Sequence, residues 1–286
     1  MSRRHPAGLP DSLRVDRTLV MGVLNVTPDS FSDGGLFDNT AAAIDHGRAL
    51  VAAGADIVDV GGESTRPGAQ RISVDEEIAR VVPVIEALAD TGIVVSVDTM
   101  RADVAAAAVG KGAHIVNDVS GGLADPAMLH VVAELPVPYI AMHWRGFSER
   151  MDDLAVYSDV VGDVVSELAE RAAAAVAAGV SPDRLIVDPG LGFAKNAEHN
   201  WALLRRLDAI AALNLPVLIG ASRKRFLGAL LADESGEPRP VDEREAATNA
   251  ITAIAANQRV WAVRVHEPRA AADAVRVAAA IEGRGR

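Results

Sequence analysis

The 286-residue chain contains no cysteine, so disulfide bridges, thiolate nucleophiles and cysteine-ligated metals are all excluded. Aromatic residues amount to only 3%, and the apolar half of the chain is therefore almost wholly aliphatic. No uninterrupted apolar run approaches the ~20 residues that a membrane helix needs. Positive charge is also short: 28 Lys and Arg face 39 Asp and Glu, a net charge of −11. That balance argues against general affinity for nucleic acid or acidic membrane surfaces. It does not forbid an anionic small substrate, because global charge is screened over ~8 Å in physiological salt while a few cations in a concave site act at contact distance. The stretch from Met1 to Arg17 is basic and polar, without the apolar core of a secretory signal. It reads as a loose tail ahead of one domain, 18–286, with the cytoplasm as the expected compartment.

What the chain does contain is a regular alternation. Short β-branched runs (Thr18–Asn25, Asp56–Gly61, Ile93–Asp98, His114–Asp118, Val137–His143, Leu185–Asp188, Pro216–Ala221 and Val260–His266) are near-continuously hydrophobic, as parallel strands covered on both faces must be. Between and after them lie Ala-rich helical runs: Thr40–Ala53, Val74–Ala89, Ala102–Lys111, Pro126–Ala133, Asp159–Ala178, Ala197–Ala211, Asp242–Asn257 and Arg269–Glu282. Ser73 and Glu76 make a capping box, and Gly54, Gly112 and Gly179 stand where left-handed helix caps belong. Pro83 should kink or restart the second helix, and 232–240 reads as an exposed loop. Eight βα units fit either an open doubly wound sheet or a closed barrel. The placement of polar residues favours a single-domain (βα)8 barrel, whose strands all end at one rim where catalytic groups collect.

Every strand does finish in polar residues. The first leads into Asn25 and Thr27–Gly35, the second into Gly61–Gly68, the third into Asp98–Thr99, and the fourth into Asn117–Asp118. The fifth ends in Met142–Arg145, the sixth in Asp188–Lys195, the seventh in Gly220–Arg225, and the eighth in Arg264 and His266. Polar loops are commonplace, but Asp, Asn, Lys, Arg and His emerging directly from apolar strands are not.

The segments MGVLNVTPDSFSDGG, VDVGGESTRPGA, SVDTMRADVA, VNDVSGG, MHWRG, DPGLGFAK, GASRKRFLG and VRVHEP, in order from Met21 to Pro268, closely resemble the dihydropteroate synthase family in its actinobacterial form. The resemblance implies an enzyme that joins 6-hydroxymethyl-7,8-dihydropterin pyrophosphate to p-aminobenzoate, giving 7,8-dihydropteroate and pyrophosphate. It further implies that Asp98, Asn117, Asp188 and Lys224 read the pterin, with Val119, Met142, Phe193, Gly220 and Arg264 around the ring. Asn25, Arg264 and His266 match the family's pyrophosphate site, with Mg²⁺ bridging to Asn25. Phe31, Thr65, Arg66, Pro67 and Ser222 match the p-aminobenzoate side, where sulfonamides compete. Asp33 is placed near the reaction centre, and with Arg66 and Lys224 it makes up the expected catalytic set. The partners implied are small molecules and a second copy of the chain. Such chemistry needs acceptor carboxylates, an amide and a cationic donor against the pterin edge, and no covalent intermediate.

Plainer roles stand beside these. Asp98 and Asp188 at strand ends could each cap the following helix. His143 reads as a packed or supporting residue, and Trp144 and Arg145 as shapers of the fifth loop. His46, His114, His130 and His199 show no metal-ligand spacing. Gly190–Gly192 lacks the third glycine of a dinucleotide loop, and Gly220–Lys224 lacks the second glycine of a Walker A loop. Two other functions share parts of the pattern: a catalytically silent pterin-binding paralogue, and a methyltransferase using a methylated folate. The second would not need the GESTRPG and SRK segments.

Overall fold

The computed structural model describes residues 4–27, 36–63, 71–147 and 153–284. Its strands are β1 (Leu19–Asn25), β2 (Ile57–Gly61), β3 (Val95–Asp98), β4 (Ile115–Asp118), β5 (Tyr139–Met142), β6 (Leu185–Asp188), β7 (Leu218–Ile219) and β8 (Ala262–Val265). The helices are α1 (Leu36–Ala52), α2 (Val74–Ala89), α3 (Ala102–Gly110), α4 (Met128–Glu134), α5 (Val160–Ala177), α6 (Ala197–Arg205), α7 (Leu207–Ala211), α8 (Arg225–Leu230), α9 (Glu245–Asn257) and α10 (Pro268–Ile281). The strands run parallel in the order β6-β5-β4-β3-β2-β1-β8-β7. A parallel bridge between Val187 and Val217 joins the two ends and closes the ring. The expected (βα)8 barrel is the fold.

Strand side chains alternate between the two faces of a sheet, so each barrel strand supplies one inward and one outward set. The outward set (Val58, Val60, Val95, Val97, Val116, Val187, Val263) packs beneath the helices in two large apolar clusters. The inward set is apolar at the lower level, where Leu19, Met21, Ile57, Ile115, Ile140, Ile186, Leu218 and Ala262 fill the barrel. Two residues further along, the next inward position is polar or small on most strands (Asp59, Asn117, Asp188, Gly220 and Arg264), with Met142 the apolar exception on β5. One period-two pattern thus builds an insoluble floor and a reactive mouth.

The N-terminal segment departs from the loose tail expected of it. Leu9 and Leu13 are buried in the same cluster as the barrel floor, and the Ala7 amide donates to the Asp183 carbonyl at 2.8 Å. Arg17 makes paired hydrogen bonds to Asp56, of 2.7 and 2.6 Å. Without this cover the floor would meet water, and burying two leucines there is favourable by about 1.5–3 kcal/mol each.

Two local expectations also change. Helix α2 runs unbroken through Pro83. Both Pro83 and Ala79, whose carbonyl loses its partner, are exposed, so water can take over the missing hydrogen bond. The single run expected at 197–211 divides at Arg206 into α6 and α7, and α8 follows the seventh strand where only a loop was read.

Candidate active site

The mouth is organised by ion pairs across the barrel axis. From β8, Arg264 donates through Nε to Asp59 on β2 at 2.6 Å and through Nη2 to Asp98 on β3 at 2.7 Å. Asn117 on β4 donates its side-chain amide to the same Asp59 oxygen at 3.0 Å. The second Asp59 oxygen, Oδ1, is buried with no hydrogen-bond partner among the described residues. Leaving such an atom bare costs free energy unless a ligand or water serves it. Burial lifts the Asp98 carboxyl to about 7, against the opposing pull of Arg264 and with help from Asp59. Asp98 does not cap α3, because the first amide of that helix, Ala102 N, goes to Asp125 at 2.8 Å.

The far wall comes from the sixth and seventh loops. Asp188 at the end of β6 accepts the Gly190 amide at 2.7 Å, so its capping serves its own loop and not a helix. Burial raises its pKa, opposed first by Lys224. Lys224 itself is held between the Leu191 carbonyl and the Phe193 ring, whose centroid lies 4.8 Å from Nζ. Burial lowers its ammonium to about 8, while Asp188 works in the other direction. This loop requires glycine: Gly190 has φ +65°, and a Cβ there would lie 2.3 Å from the His143 carbonyl. Beside them, Ser222 Oγ stands 2.9 Å from His266 Nδ1 and accepts the His266 amide at 3.2 Å.

This arrangement has known counterparts. The pterin binding enzyme family matches residues 21–266, and the dihydropteroate synthase of Mycobacterium leprae is 56% identical over 262 residues, covering 91% of this chain and 92% of that protein. The chain belongs to the dihydropteroate synthase family. Among solved structures it is similar to the Xanthomonas albilineans dihydropteroate synthase with 4-aminobenzoic acid (TM-score 0.85, 45% identity, covering 93% of this chain and 94% of that one). It is likewise similar to the Yersinia pestis dihydropteroate synthase in a sulfonamide drug complex (TM-score 0.88, 38% identity, 98% and 99% covered).

The residues that the family resemblance singled out divide into two groups. Asp98, Asn117, Asp188, Lys224, Phe193 and Arg264 line one mouth, with Met142 and Val119 buried in its walls. Gly220 lies between Asp188 and Arg264, and a Cβ there would come within 3.8 Å of each. Asn25 ends β1, half-buried and in register with Gly61. Phe31, Asp33, Thr65, Arg66 and Pro67 lie outside the described residues. Asp59 was overlooked, although its inward parity with Ile57 marks it. Also overlooked was a support behind β3, where buried Glu77 accepts the Thr99 hydroxyl at 2.6 Å and pairs with Arg101. His143 does stand in a supporting role, and Arg145 shapes the fifth loop by pairing with Glu167 and donating to the Val156 carbonyl at 2.6 Å.

Proposed function

We propose that this chain is a dihydropteroate synthase, condensing 6-hydroxymethyl-7,8-dihydropterin pyrophosphate with p-aminobenzoate and releasing pyrophosphate. One observation carries the reading: carboxylates, an amide and Arg264 from the strand ends converge with Lys224 from the seventh loop at the barrel mouth. A pterin edge presents ring N–H, amino and carbonyl groups in alternation, and this donor and acceptor set complements it. In this reading Asp98, Asn117, Asp188 and Lys224 bind the pterin, between Met142, Val119, Gly220 and Phe193. Arg264 lies alongside it and turns toward the diphosphate with His266 and Asn25. Ser222 belongs to the p-aminobenzoate side, together with Phe31, Thr65, Arg66 and Pro67, and Asp33 serves the reaction centre.

The reaction asks little covalent chemistry of the protein. The C–O bond between the pterin methylene and the diphosphate breaks, and its electron pair leaves with the diphosphate. The aryl amine nitrogen then bonds the methylene carbon and gives up a proton. Asp59, Asp98 and Asp188 surround the cation-bearing pterin with negative charge, and Arg264 and Lys224 keep that charge tolerable when the site is empty. Preorganised groups of this kind are typically worth about 2.7–4 kcal/mol of barrier each. Asn25 supplies an amide oxygen suited to a hard cation, and no cluster of three or more His, Asp or Glu able to hold a metal occurs among the described residues. Asn25 would hold Mg²⁺ there, and the ion would supply positive charge to neutralise the leaving group.

The enzyme is further read as a cytoplasmic homodimer. Leu230, Ile254, Val277 and Ile281, on α8 to α10, are 56–76% exposed and offer apolar surface for a second copy. The site assignment is tested by titrating Asp98→Asn and Lys224→Ala with the pterin pyrophosphate. Each should bind at least about tenfold more weakly, the equivalent of one lost charge-assisted hydrogen bond. Unchanged affinity in both variants would contradict the assignment.

A further inference from the structure

Behind the loop that holds Lys224 lies a second lysine that the transfer reaction does not use. Lys195 is 4% exposed. Its Nζ lies 2.8 Å from His143 Nδ1, 3.1 Å from the Gly190 carbonyl and 3.0 Å from the Phe193 carbonyl. Those acceptors match the three N–H groups of an ammonium. Across the imidazole, His143 Nε2 stands 2.9 Å from Glu167 Oε2. A carboxylate only accepts, so the ring proton sits on Nε2 and leaves Nδ1 to accept from Lys195. Arg145 pairs with the same Glu167 and lies 3.8 Å over the Tyr157 ring, whose hydroxyl donates to the Ala194 carbonyl at 3.0 Å. Burial first, and then the neighbouring Lys195, drive the imidazole down to about 3 against the pull of Glu167, so His143 stays neutral at physiological pH and cannot serve as the acid of the reaction. Burial also holds the Lys195 ammonium well below its usual range.

The consequence lies in the loop. The Gly190 carbonyl accepts both Lys195 Nζ and the Phe193 amide, the latter at 3.0 Å. That closes residues 190–193 into a turn presenting the Leu191 carbonyl and the Phe193 ring to Lys224. There is no slack on either side: a Cβ on Gly190 would strike the His143 carbonyl, and one on Gly192 would come within 2.9 Å of Lys224 Cδ.

We propose that Lys195, tied through His143 to Glu167, is a positioning residue for the pterin subsite, setting the loop that aims Lys224 and Phe193 without touching substrate itself. The proposal rests on the pterin assignment above, and its test separates the two. Lys195→Met, His143→Leu and His143→Gln are compared with Asp98→Asn for pterin affinity and for the KM of each substrate, with folding checked by circular dichroism. Lys195→Met should weaken pterin binding about tenfold or more while the p-aminobenzoate KM stays within about twofold. His143→Gln retains a side-chain acceptor and donor, and should recover most of the affinity lost in His143→Leu. Three results would each overturn the proposal: folded Lys195→Met with parental pterin affinity, equal losses for both substrates, or Gln and Leu variants that behave alike. If Lys195→Met fails to fold, the His143 pair decides on the same criteria. Parental pterin affinity in Asp98→Asn would overturn the subsite assignment, and the proposal with it.

Discussion

Asp98 and Lys224 line the same mouth, and burial moves their pKa values toward one another. Burial raises the Asp98 carboxyl to about 7 and lowers the Lys224 ammonium to about 8. Both groups are charged only in a narrow interval, so pterin affinity should be greatest between those values and fall on either side. Below it Asp98 takes up a proton and ceases to be a pure acceptor; above it Lys224 loses its charge. Binding measured from pH 5.5 to 9.5 (about the range that brackets both groups) should lose its acidic limb in Asp98→Asn. An acidic limb unchanged in that variant would assign it to another group. The linked effect on stability has the opposite sign from that of an ordinary salt-bridged carboxylate. Between its unfolded value near 3.8 and its folded value of about 7, the native state binds the Asp98 proton more tightly. Stability from this residue therefore falls as pH rises through that window. Part of the mouth is thus held in an unfavourable charged state that a cationic ligand would relieve.

At the scale of elements, the eight strands were legible because parallel strands covered on both faces read as unbroken apolar runs. Their polar ends announced the rim for the same reason, since hydrophilic side chains that follow such runs directly have nowhere to go but the mouth. Asp59 was hidden by the rule that exposed the others. It lies within a strand, and only the parity of Ile57 and Asp59 reveals that it faces inward. Of the relay of His143, Glu167 and Lys195 only the supporting role of His143 was legible; its partners were not, because they sit on separate elements that meet only through packing. The docked N-terminal segment escaped for another reason: Leu9 and Leu13 stand in a polar stretch too short to show periodicity. Leu13 is 4% exposed beneath the barrel. Leu13→Ala should cost about 2–5 kcal/mol in denaturant unfolding, while kcat and both KM values stay at parental levels, because the floor and the mouth are different layers. A loss of activity in folded Leu13→Ala would contradict that separation.

Taken whole, the molecule is a barrel closed below by its own N-terminal segment, with a charged mouth at the other end. Its net charge of −11 does not oppose an anionic substrate, because Arg264 and Lys224 act at the mouth itself. The exposed apolar residues on α8 to α10 are the physical basis of the proposed dimer. Light scattering on the purified protein should therefore report twice the 29.8 kDa chain mass, and charged substitutions at Val277 and Ile281 should halve it. A single-chain mass for the parent would remove that assembly from the account. The most direct test of the whole is turnover by the purified protein supplied with Mg²⁺, the pterin pyrophosphate and p-aminobenzoate. Pyrophosphate release should match 7,8-dihydropteroate formation, require p-aminobenzoate, stop with a chelator and be blocked by a sulfonamide. Folded protein that releases no pyrophosphate above background under those conditions would contradict the proposed function.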